Sequence, residues 1–136
     1  MRAWYGEAQA RFGIRWQVLA AVNFVESAFG KVRNTSTAGA QGPMQFEPAT
    51  WRAYGLGGDI RDPHDAILGA AHYLAASGGR RNERAALRRY NRSSLYAEAV
   101  EHYANRMTHD PHAFYRYYNW SVYIRTPAGY RRMSGP

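Results

Sequence analysis

Val18-Leu19-Ala20-Ala21-Val22-Asn23-Phe24-Val25-Glu26-Ser27-Ala28-Phe29-Gly30 is a run in which one residue breaks the pattern. Apolar side chains recur at helical spacing from about Arg15 to Phe29, with Leu19, Val22 and Phe29 on one face and Val18 and Val25 flanking it. Glu26 stands on that same face, near the C-terminal end, where leucine or valine is expected. Gly30 predicts the stop. An unpaired carboxylate taken out of water loses solvation, so its pKa rises and the protonated form is favoured. The partial negative charge of a helix C-terminus pushes the same way. A carboxyl kept protonated near neutral pH is what a general acid requires. On periodicity alone, a salt bridge from Glu26 to an arginine is the competing reading.

Helical periodicity extends on both sides of this run as far as residue 107. Before it, Ala3 to Phe12 carries Trp4, Ala8 and Phe12 at helical spacing and ends at Gly13. After it, residues 30–43 read as a loop. A short helix is predicted from Pro48, a residue suited to the first turn, to just before Gly55. Asp62-Pro63 opens the next helix as N-cap and first helical residue, with Ile67, Ala70, Ala71 and Leu74 inward and a stop at Gly78-Gly79. Another helix covers Glu83 to Tyr90, and a further one starts at Ser94 with Leu95, Ala99, Tyr103 and Met107 on one face. Asp110-Pro111 opens a further helical turn or two. Residues 120–133 predict a small β-hairpin turning at Thr126-Pro127-Ala128-Gly129. The fold class is therefore mainly α.

The length of 136 residues suits one domain, and 46% hydrophobic with 15% aromatic residues gives it material for a core. No apolar stretch approaches the ~20 residues that span a bilayer, so no membrane contact is expected of this segment. Without cysteine there is no disulfide, thiolate zinc site or cysteine nucleophile. Met1 leads into an amphipathic pattern rather than an apolar signal core, and the chain stops at Ser134-Gly135-Pro136. It is expected to be a domain excised from a longer protein. The net charge of +8 is almost all arginine, Lys31 being the single lysine. Such a balance predicts an anionic partner or a solvated basic surface, and does not choose between them.

Other chemical candidates are weaker. His109 and His112 lack the further ligands that zinc needs. Asp59, Asp62 and Asp65 do not follow the spacing of a calcium loop, and helix capping explains two of them. Gly55-Leu56-Gly57-Gly58 has neither the preceding strand nor the lysine of a phosphate loop. The serines and histidines show no local nucleophile signature. Arg80-Arg81, Arg88-Arg89 and Arg131-Arg132 match no nucleic-acid module and read as surface charge.

Four motifs in order point further. Val25-Glu26-Ser27, a loop containing Ser36, and Gly39-Ala40-Gln41-Gly42-Pro43-Met44-Gln45-Phe46 resemble the catalytic signature of bacterial lytic transglycosylases, which share the lysozyme-like fold with goose-type lysozyme. Asp65-Ala66-Ile67 through Tyr73-Leu74 resembles that family's next helix, and Tyr90-Asn91 followed by Leu95-Tyr96 its tyrosine-asparagine motif. The similarity covers roughly residues 14 to 107, with 110–136 as a C-terminal extension. Gly-Pro-Met-Gln-Phe, with Pro48, Thr50 and Trp51 after it, resembles the actinobacterial and membrane-bound-type branch.

The resemblance implies cleavage of peptidoglycan between N-acetylmuramic acid and N-acetylglucosamine, with Glu26 as the single catalytic acid/base and a 1,6-anhydro product. It implies that Ser27 and Ser36 sit beside the cleavage point and hydrogen-bond to sugar or to Glu26. Met44, Gln45 and Phe46 would line the saccharide groove, plain core being the alternative for Met44 and Phe46 and a helix-end hydrogen bond for Ser27. Gly39 and Gly42 would let the backbone turn tightly and approach the sugar, and Tyr90 would orient Glu26 or the substrate's N-acetyl group, with Asn91 structural. No cofactor or metal is implied; the loop between Asp59 and Asp62 is too short for the calcium site of some relatives. The partner it implies is peptidoglycan glycan strands rather than nucleic acid, the setting it implies is the extracellular cell wall, and the molecule is expected to be a monomer. Two alternatives stand beside this reading: a goose-lysozyme-like hydrolase in which Glu47 or an aspartate positions water, and a catalytically silent wall-binding module.

Overall fold

The structure, a computed structural model, describes residues 1–133. The described residues form helices α1 (Arg2–Phe12), α2 (Trp16–Ser27), α3 (Pro48–Tyr54), α4 (Pro63–Ala76), α5 (Glu83–Tyr90), α6 (Ser94–His109) and α7 (His112–Tyr118), followed by strands β1 (Val122–Thr126) and β2 (Gly129–Met133). The mainly α architecture with a C-terminal hairpin agrees with the periodicity. The helix boundaries have local causes. Gly13 takes a left-handed φ of 74° and returns its N–H to Gln9. Asp62, Asn82 and Ser93 each accept a backbone N–H into the first turn of α4, α5 and α6.

Helix α2 is the centre of the molecule. It packs along α6 and also touches α1, α4 and α7. Its residues Val18 to Asn23 are all buried, which is why this stretch is apolar nearly all round. Ile67 and Leu74 of α4, Leu87 of α5, and Val100 and Met107 of α6 close the core around it.

Two expectations change. The helix carrying Glu26 ends at Ser27 rather than reaching Phe29. Ala28 and Phe29 adopt left-handed φ values of 49° and 60°, and the Phe29 N–H reaches back to the Asn23 carbonyl. This is a helix stop of the kind usually given to glycine, held in place because Phe29 is fully buried against Phe24, Phe114 and Tyr118. On α6 the buried face is Tyr96, Ala97, Val100, Ala104 and Met107, and Leu95 is 75% exposed. Leu95 and Tyr96 are adjacent and both apolar, so periodicity alone did not place the stripe; the burial of Tyr96 does.

The hairpin pairs Val122 with Met133 through Thr126 with Gly129, antiparallel. It leaves Tyr123, Ile124 and Tyr130 exposed.

Candidate active site

Glu26 lies in the last turn of α2, half-buried, with α5 and α6 supplying Tyr90 and Tyr96 nearby. Burial raises its carboxyl from the ordinary 4.5 to about 7, partly offset by Tyr96. No cation lies within ion-pair distance of Glu26 among the described residues, so the salt-bridge alternative does not hold there. Seven of the nine other carboxylates have partners, and Glu47 and Glu98 are exposed. Glu7, Glu83, Glu101 and Asp110 pair with arginine or histidine, while Asp59, Asp62 and Asp65 accept backbone N–H groups. Glu47 is exposed at the N-cap of α3.

Tyr96 is the residue that sequence reasoning left without a role. It comes close enough to Glu26 to hold down the carboxyl's proton affinity, and the Glu26 charge in turn raises the Tyr96 phenol after burial does. Yet its buried hydroxyl makes no well-formed hydrogen bond among the described residues. The contact is loose rather than closed. The signal in the sequence is Leu95-Tyr96, where helical spacing points to Leu95 and the structure buries Tyr96 instead.

The loop between α2 and α3 is shaped by Ser27, Gly42 and Gln45. Ser27 is 2% exposed; its hydroxyl donates to the Pro43 carbonyl at 2.6 Å and accepts the Gly30 N–H at 2.8 Å. It ties the end of α2 to the loop and has no free hydroxyl for a sugar, which corrects the expectation of direct contact. Gly42, at φ 75°, sits so close to the Ile60 carbonyl that an added Cβ would lie 1.9 Å from its oxygen. A single antiparallel bridge between Gln41 and Phe46 closes the turn. Gln45, at φ 51°, donates its amide to the carbonyls of Asn34 and Gly42.

Met44 and Phe46 are buried, at 0% and 3% exposure, and do not line a groove. Phe46 packs edge-on against Trp51, Tyr73 and Tyr90. The alternation of this turn sends both side chains into the core, where they support the wall instead of forming it. Tyr90 donates its hydroxyl to the Met44 carbonyl at 2.6 Å, so it braces the loop rather than bonding Glu26 directly. Burial, with the Glu26 charge next, raises its phenol well above the usual range. Ser36 accepts the Ala40 N–H at 2.9 Å and closes the tight turn that contains Gly39. Asn91 is exposed beyond α5 and caps the Ser93 N–H. Glu26, Tyr90, Tyr96 and the Met44 backbone thus come together; Ser36, Gln45 and Asn91 serve the loops around them.

Chemically, the arrangement offers one carboxyl that is protonated or ionised with nearly equal ease around neutral pH, beside two phenols and without a bound cation partner. It suits a group that gives a proton and takes one back.

Comparison with known proteins bears on this site. The family described as "Transglycosylase SLT domain" matches residues 4–108. The chain is 36% identical over 75 residues to the membrane-bound lytic murein transglycosylase F of Thiobacillus denitrificans (strain ATCC 25259 / T1), a match covering 55% of this chain and 16% of that protein. The chain therefore spans a small part of the relative's length. No solved structure matches.

Proposed function

The chain belongs to the transglycosylase SLT domain family, and from that premise we propose that it cleaves the β-1,4 bond between N-acetylmuramic acid and N-acetylglucosamine in peptidoglycan. The fold is lysozyme-like and helical. The observation that carries the reading is Glu26: an unpaired carboxyl, raised by burial to about 7, at the end of the central helix.

In the proposed reaction the protonated Glu26 gives its proton to the glycosidic oxygen as the bond to muramoyl C1 breaks. The substrate's N-acetyl group stabilises the positive centre at C1, standing in for the second carboxylate of a two-carboxylate glycosidase. Glu26, now ionised, takes the proton of the muramoyl C6 hydroxyl, whose oxygen closes on C1. The products are a strand ending in a 1,6-anhydro ring and a strand with a free hydroxyl, and Glu26 is protonated again. No water is consumed.

Tyr96 tunes the carboxyl, Tyr90 and Ser27 hold the Met44 loop against it, and Gln45 and Ser36 fix the loop's outer turn. Met44 and Phe46 act from below, as support. We place the activity in the cell wall, as one catalytic domain. No helix among the described residues is long and apolar enough to cross a membrane.

Clearing of purified murein by wild type, Glu26→Gln and Glu47→Gln tests the assignment. Glu26→Gln is expected to lose about a hundredfold or more in rate, and Glu47→Gln to stay near wild type. Activity surviving in Glu26→Gln, or lost in Glu47→Gln, contradicts the single-carboxyl reading.

A further inference from the structure

A cavity of about 380 Å³ lies beside the signature loop, lined by Gly30, Val32, Arg33, Asn34, Thr35, Gly42, Pro43, Arg61 and Pro63. It shares its wall with the active-site loop: Pro43 takes the Ser27 hydroxyl, and the Gln45 amide bridges the Asn34 and Gly42 carbonyls. Arg33 and Arg61 are among its lining residues and no aspartate or glutamate is. Neither Arg33 nor Arg61 forms an ion pair among the described residues.

The neighbouring charged side chains make hydrogen bonds to the backbone. Asp59 and Asp62, which flank Arg61 in sequence, accept the backbone N–H groups of Arg61 (2.8 Å) and Asp65 (3.0 Å). Lys31 donates its ammonium to the Tyr118 carbonyl. Arg33 touches its own loop through a long 3.4 Å bond from Nε to the Gly30 carbonyl, which leaves its remaining N–H groups unspent. The Asn34 amide and the Thr35 hydroxyl, also in the lining, make no side-chain hydrogen bond among the described residues. Two arginines without ion pairs, beside neutral polar groups in a concave lining, offer N–H donors to an anion.

Resting on the reading of the chain as a peptidoglycan-cleaving enzyme, we propose that this cavity is a subsite for a carboxylate of the acidic peptide carried by the muramoyl residue. Guanidinium groups match carboxylates in geometry, two parallel N–H donors to two oxygens. The muramoyl lactyl group places the peptide beside the sugar being cleaved, and Pro43 in the cavity wall takes the hydroxyl of Ser27, the residue next to Glu26 in the chain. The enzyme would thereby favour peptide-bearing over naked glycan.

The test uses two substrates, peptide-bearing strands and the same strands stripped of peptide by an amidase, with wild type, Arg33→Gln, Arg61→Gln and Arg61→Lys. Both arginines are exposed, so unchanged thermal melts are expected and are checked first. The arginine-to-glutamine variants should raise KM for peptide-bearing strands by about tenfold with kcat little changed, and leave stripped strands unaffected. Arg61→Lys should recover part of the loss. Equal loss on both substrates, or no loss on either, overturns the proposal. Titration of the isolated acidic stem peptide, followed by calorimetry, reads the subsite without catalysis. Binding weakened in Arg61→Gln supports the subsite even if murein cleavage fails, whereas no binding to wild type sinks it.

Discussion

Replacing Glu26 with glutamine should make the protein more stable, and only above a defined pH. Burial moves this carboxyl from 4.5 to about 7. Its folded-state proton affinity is thus higher than in the unfolded chain, and the stability this provides is complete below pH 4.5. As pH rises through the window between these values, the unfolded chain releases its proton first, and stability falls until the folded carboxyl has ionised as well. At about 1.4 kcal/mol per pH unit the loss amounts to about 3 kcal/mol. Glutamine has nearly the same shape and no charge, so Glu26→Gln does not suffer this loss. Denaturant melts of both proteins across the pH range should coincide under acid conditions and separate through the window, with the variant ahead by up to about 3 kcal/mol in mild alkali. Asp110, held below its usual range by Arg116, is common to both proteins and cancels in the difference. A stability difference that is independent of pH, or wild type the more stable in alkali, would falsify the claim that Glu26 is buried without a cation.

Three further outcomes follow from the same geometry. Gly42→Ala combines a φ of 75° with a Cβ 1.9 Å from the Ile60 oxygen, so calorimetric melts should show a loss above about 3 kcal/mol. Gly57→Ala, at φ 77° with open space around it, is the control and should cost about 1 kcal/mol. Ser27→Ala leaves the Pro43 carbonyl and the Gly30 N–H without their partner and should cost about 1–3 kcal/mol in denaturant melts, with a fall in murein cleavage as the loop loses its tie to α2. Tyr96→Phe removes a hydroxyl with no well-formed bond, so stability under acid conditions, where Glu26 is protonated in both states, should hold within about 0.5 kcal/mol. Because Tyr96 holds the Glu26 pKa down, its loss should shift the alkaline limb of the pH–rate profile upward, and an unmoved limb would refute the coupling.

Much of the fold was written locally. Gly13, Asp62-Pro63 and Pro48 act through their own backbone preferences, and the helices they bound match the spans predicted. The interior run of α2 announced its burial by being apolar nearly all round, and Glu26 was conspicuous against it. What the sequence left open depended on tertiary contacts. Phe29 keeps helical spacing yet lies beyond the helix, because its burial among aromatics from α7 and Phe24 fixes a left-handed stop. Leu95 and Tyr96 are interchangeable to a periodicity argument, one helical step apart, and only the packing of α6 on α2 chooses Tyr96. Met44 and Phe46 were open between groove and core for the same reason: a turn's inward side is set by what it covers. Ser27 belongs with them, its hydroxyl claimed by a loop residue distant in sequence.

In the proposed reaction one carboxyl, Glu26, is sufficient for cleavage, because the substrate's own C6 hydroxyl takes the place of water. Mass spectrometry of the fragments released from purified murein tests this most directly. Muramoyl ends in the 1,6-anhydro form, absent when Glu26→Gln replaces wild type, are the predicted result. Fragments ending in a free reducing muramic acid would contradict it, since they require a water-activating group that this account does not assign.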